Sequence, residues 1–209
     1  MSASPLAAPM ALGPMEQRGV SAASALSKRK TSYVGMILAL ASWAMLFASL
    51  FFAYAVLRLS APTWPPEGAA ALPRLLPSIN TLVIVLSSLV LWNGRRLSSE
   101  SKPGALRRAL VATMALGGLF LALQLAVWIP LWRQGFRIDS GIYGSIFYGL
   151  TTFHALHVVA GLIALACLLP GARRGVYVSS RQSPVRLTAM FWDFVGIVWV
   201  VLFVAVYFL

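Results

Sequence analysis

The stretch Ser140–Ala172 reads SGIYGSIFYGLTTFHALHVVAGLIALACLLPGA, and its only Asp, Glu, Lys, Arg or His side chains are His154 and His157. A helix rises 1.5 Å per residue, so about 20 apolar residues cross a hydrocarbon core of about 30 Å. This stretch is long enough to do so. Tyr33–Leu57, Leu75–Gly94 and Ala109–Trp132 are similar runs without charge, and Leu187–Leu209 carries Asp193 alone. Backbone groups in lipid must be satisfied within a helix or a closed barrel. The runs are about twice as long as barrel strands and lack their alternation, so helices are expected. The predicted fold is all-α: a polytopic membrane bundle with spans at about 33–57, 75–94, 109–132, 142–169 and 187–209.

Working outward from those runs, the chain is 59% hydrophobic and 11% charged, against about 25% charged for a soluble domain. One soluble core is thereby excluded. A net charge of +12 could suggest nucleic acid, but the basic residues sit between apolar runs and no nucleic-acid partner is expected. They instead report topology, because short loops rich in Lys and Arg stay cytoplasmic. Thirteen of the seventeen lie in the N-terminal segment, the second-to-third loop and the fourth-to-fifth loop; only Arg58, Arg74, Arg133 and Arg137 lie on the other side. A cytoplasmic N-terminus and a C-terminus on the opposite face are expected. Trp64, Trp92, Trp128 and Trp132 fall near span ends, where aromatic belts form. The single Cys167 excludes an internal disulfide and a thiolate cage.

Residues 1–32 carry Pro5, Pro9 and Pro14 among many Ala and Ser, and are expected to form a mobile cytoplasmic tail ahead of a five-helix domain at 33–209. Pro62, Pro65 and Pro66 stiffen the first outer loop, which is expected to fold over that face. The loops are short, so any chemistry must lie within or beside the helices.

Ionisable residues inside a span are costly and point to function. A lipid-facing Asp193 at a span centre would cost roughly 2.5–3.5 kcal/mol, so it should face other helices or take up a proton. His154 and His157 lie on nearly one face of the fourth helix. His157 falls about 2 Å and Asp193 about 7 Å to the cytoplasmic side of their span midpoints, so a hydrogen bond between them is expected. A metal site from His154, His157 and Asp193 stays open. The alternative is that both imidazoles satisfy hydrogen bonds between packed helices, with Thr151, Ser145 or backbone carbonyls as partners, and the spacing favours it. Gln124 and Asn80 read as interhelical hydrogen-bonding residues, Gly161 as a point of close approach, and Arg58 as a side chain that snorkels to lipid phosphate.

GSIFYGLTTFHALHVVAG, residues 144–161, resembles the signature helix of subunit III of haem-copper respiratory oxidases. FWDFVGIVW, residues 191–199, resembles that family's closing motif. Phe51-Phe52-Ala53-Tyr54 with Arg58, Trp64-Pro65-Pro66, Asn80-Thr81, and Gln124 with Trp128 follow in the family's order. The five-helix length is similar to the shorter bacterial forms. The resemblance implies a subunit III of cytochrome c oxidase type, working in aerobic respiration, that binds no haem or copper itself and is not expected to carry the redox chemistry. Haem and copper are expected in partner subunits, and phospholipids in a cleft between helix groups. Read from the residues themselves, His154, His157, Asp193 and Gln124 are expected to form a polar network, Arg58 a lipid headgroup contact, and Ser145, Thr151, Gly161, Trp192 and Trp199 a helix packing motif.

The departures concern acids. Trp43 and Val127 stand where the family carries intramembrane glutamates, Asp193 where it carries histidine, and Gly196 where it carries aspartate. A homologous subunit of a quinol oxidase or nitric oxide reductase fits the same motifs. A small proton-coupled transporter using Asp193, His154 and His157 would fit the polar residues, but no internal repeat supports it.

Overall fold

A computed structural model describes residues 13–64, 72–99, 104–177 and 182–208. The chain divides into two units, Met1–Leu38 and Ala39–Leu209. Five helices run in order: α1 Pro14–Ser60, α2 Leu75–Ser99, α3 Ala105–Arg133, α4 Gly141–Arg173 and α5 Ser183–Tyr207. No strand occurs among the described residues. Arg29–Ser60, Leu75–Ser98, Ala105–Arg133, Gly141–Arg173 and Ser183–Tyr207 are each long and apolar enough to cross a membrane.

Helix α1 begins well before the expected span start at residue 33. Pro14 is its first residue, where a missing N–H leaves no hydrogen bond unmade and the fixed φ suits the helix. Pro5 and Pro9 precede it and lie outside the described residues, as do Pro65 and Pro66 of the proline-rich loop. Pro14, expected in a mobile tail, is thus a helix start signal here. The far ends of α3 and α4 share another device. Gly135 and Gly175 adopt positive φ of 83° and 66°. Phe136 N–H then donates to Leu131 O at 3.0 Å and Val176 N–H to Gly171 O at 3.0 Å, closing both helices with a Schellman cap.

Helices α2, α3, α4 and α5 form a ring in which α2 meets α3, α3 meets α4, α4 meets α5 and α5 meets α2. The α2 and α3 backbones approach closely near their basic end, where a methyl on Gly94 would overlap Ala109 Cβ. One layer toward the middle, Trp192 of α5 is fully buried. It fits because Gly117 and Gly161 lack side chains; a Cβ on either would come within 2.7 or 2.8 Å of the indole. Its Nε1 donates to Ser87 Oγ at 3.0 Å, and Thr113 Oγ1 donates to Ser87 O at 3.3 Å. Trp199, two turns along α5, donates from Nε1 to Thr81 Oγ1 at 3.0 Å.

Candidate functional site

The ring places His154 at the level of Trp199. Its imidazole is 1% exposed, with centroids 5.3 Å from Trp199, 5.7 Å from Phe120 of α3 and 6.5 Å from Phe47 of α1. Neither ring nitrogen has a hydrogen-bond partner among the described residues. The buried amides of Gln124 and Asn80 are likewise unpartnered. The hydroxyls expected to serve the imidazoles are used locally. Thr151 Oγ1 donates to Phe147 O at 2.7 Å, and Ser145 Oγ donates to Gly141 O at 3.0 Å. Such back-bonding within a turn is the usual fate of Ser and Thr in an apolar helix.

His157 and Asp193 are not brought together. His157 Nδ1 lies 2.7 Å from Phe153 O, one turn back on its own helix. Its ring faces α1, edge-on to Trp43 at 5.6 Å and Phe47 at 5.1 Å. Asp193 turns to α2, where the Ser88 hydroxyl donates to it and the Arg95 guanidinium lies close enough to act on its charge. The expected pairing fails because equal depth does not fix rotation: the two side chains leave their helices in different directions. Trp43 also accounts for one missing glutamate. An aromatic that packs on His157 and, at 5.0 Å, on Phe191 occupies the position of the acid. Val127, at the other expected glutamate, is 1% exposed and belongs to the apolar core.

Toward the opposite end, Arg58 in the last turn of α1 lines a groove of about 370 Å³ between α1 and α5. Phe51, Tyr54, Ala55, Leu59, Val201 and Ala205 complete its wall. The wall is hydrocarbon except for one guanidinium and one phenol. Arg58 is half-buried, and one of its terminal nitrogens is buried with no partner among the described residues. Beside the groove, Trp64 hydrogen-bonds Tyr54, and its ring stacks edge-on between Tyr54 at 5.7 Å and Tyr143 at 5.0 Å. Sequence reasoning found Arg58 and Trp64 separately but not this aromatic cluster. Its only sequence signal was tyrosines at span ends.

Among the described residues no group of three or more His, Cys, Asp or Glu side chains could hold a metal ion. His154 is enclosed by the rings of Phe47, Phe120 and Trp199, and His157 holds Phe153 O with Nδ1. What the arrangement offers is a tightly packed ring, an apolar groove with one cation, and an acid between α2 and α5.

The family model described as cytochrome c oxidase subunit III matches residues 17–209. Among curated proteins, cytochrome c oxidase subunit 3 of Synechocystis is 35% identical over 84% of this chain and 74% of the relative. A probable cytochrome c oxidase subunit 3 of Nocardia farcinica is 36% identical over 84% and 86%, and cytochrome c oxidase subunit 3 of Thermostichus vulcanus 31% over 84% and 86%.

Proposed function

This chain belongs to the cytochrome c oxidase subunit III family, and from that premise we propose how it serves its complex. It is a multi-pass protein of the bacterial plasma membrane and a subunit III of a haem-copper oxidase, working with other oxidase subunits. Its proposed role is that of a non-redox accessory subunit that packs on the haem- and copper-bearing catalytic subunit, stabilises it and orders phospholipid beside it. The N-terminus lies on the cytoplasmic side in this reading, which the sorting of thirteen basic residues to that face supports. Residues 33–209 are then the membrane domain, and 1–32 its cytoplasmic extension.

The observation that carries the lipid role is the α1–α5 groove with Arg58 at its edge. A hydrocarbon wall suits an acyl chain. A guanidinium with an unused N–H suits the phosphate that such a chain carries, because Arg binds phosphate through charge-assisted hydrogen bonds. Purification of the tagged chain in mild detergent should recover a haem-bearing partner, whose haem type also separates a cytochrome c oxidase from a quinol oxidase. Lipid mass spectrometry should then find less bound phospholipid in Arg58→Ala than in the wild-type complex. Recovery without any haem protein would overturn the reading.

A further inference from the structure

Asp193 is the one acid inside a membrane-spanning segment; Glu16, Glu67, Glu100 and Asp139 all lie outside. It sits ten residues into α5, about 15 Å from that helix end, and Ser88 is equally far from the basic end of the α2 span. The Ser88 hydroxyl donates one hydrogen bond and Arg95 supplies charge from the basic end, yet Asp193 is only half-buried. An ionised carboxylate accepts at about four lone-pair sites, so one hydroxyl leaves capacity unused. Lipid tails have no donor to offer.

The surrounding outer surface is otherwise apolar. Ile197, one turn along α5, is 64% exposed, and Leu89 beside Ser88 is 57% exposed. By contrast, Leu156 and Ile163 on the outward face of α4 are also exposed, at 60% each, but no acid accompanies them. Lipid alone suits the α4 face and does not suit the seam between α2 and α5. A second copy of this chain related by a twofold axis would bring Asp193 toward its own counterpart, where like charges repel.

We propose that the α2–α5 seam is the face on which the catalytic subunit of the oxidase packs, with Asp193 accepting a hydrogen bond from a cationic or N–H side chain on one of its transmembrane helices. This rests on the accessory-subunit reading above and adds to it the face and the chemistry of the contact. A carboxylate buried between two proteins selects its register, because any other alignment leaves it unpaired.

The test places a photo-activatable cross-linking residue at Leu89 or Ile197 in the intact complex, and at Leu156 or Ile163 as the comparison face. The haem-bearing subunit, identified by mass spectrometry, should be captured from Leu89 and Ile197 and not from the α4 positions. In parallel, Asp193→Leu should be retained on the complex through a detergent wash at least about thirtyfold more weakly, the minimum expected when one partner of a buried charged contact is removed. Asp193→Asn keeps a carbonyl acceptor and should lose less. Capture of the catalytic subunit only from α4 overturns the assigned face while leaving the accessory role intact. Capture of lipid or of a second copy alone from Leu89 and Ile197 also overturns it. Wild-type retention of Asp193→Leu overturns the role of the carboxylate.

Discussion

Two neighbouring layers of the four-helix ring bury large and polar side chains on different terms. In the layer nearer the basic end, Trp192 fits against two glycines, and its N–H, the Ser87 hydroxyl and the Thr113 hydroxyl all find acceptors. In the next, Trp199 is hydrogen-bonded to Thr81, but His154, Gln124 and Asn80 are buried with polar atoms that find none. Both layers exclude lipid. The difference teaches that shape and polarity are solved separately inside a membrane: glycine makes room for an indole, whereas a buried imidazole or amide needs a partner that packing does not supply.

Removing Trp192 should have the largest effect. Trp192→Ala empties a fully buried site and orphans Ser87 as an acceptor; a loss of about 3–5 kcal/mol is expected for such a truncation. It would be read as a large fall in the unfolding midpoint in mild detergent. A small fall would mean that Leu162 and neighbouring side chains collapse into the space, and that the first layer is less rigid than its contacts imply. Thr81→Val keeps shape but removes the acceptor of Trp199. Interhelical hydrogen bonds in membranes average about 0.6 kcal/mol and reach about 1.7, so a modest fall is expected. A change as large as that of Trp192→Ala would erase the distinction between shape and polarity. The smallest effect belongs to His154→Leu. Replacing an unpartnered polar ring by an apolar side chain should leave the midpoint unchanged or raise it, because no hydrogen bond in the chain is lost. A clear fall would show that the second layer is satisfied in the assembled protein, and the two layers would then be alike.

The five spans were legible because length and hydropathy are local properties: Ser140–Ala172 needs no partner to be recognised. Side-chain direction was not. In a soluble helix the apolar stripe fixes which face turns inward, but here lipid-facing Leu156 and core-facing Val158 are both apolar, so hydropathy leaves the rotation of α4 open. Hence His157 and Asp193 could be matched in depth yet not in direction. Trp43 was legible as a departure from a family pattern, but nothing local announced that its ring would meet His157. Arg58 stood out in the sequence as a charge at a span end; the groove it borders required α1 and α5 to be placed side by side, and they are far apart in sequence.

The close approach of Gly94 to Ala109 has a consequence for biogenesis. Helices α2 and α3 are consecutive in the chain and joined by a short connection, so the pair that packs most intimately is also one that closes with little loss of chain entropy. Because translation runs from the N-terminus, this hairpin is complete while α4 and α5 are still unmade. It can therefore enter the bilayer as a preassembled wedge, and the later helices find one wall of their ring already standing.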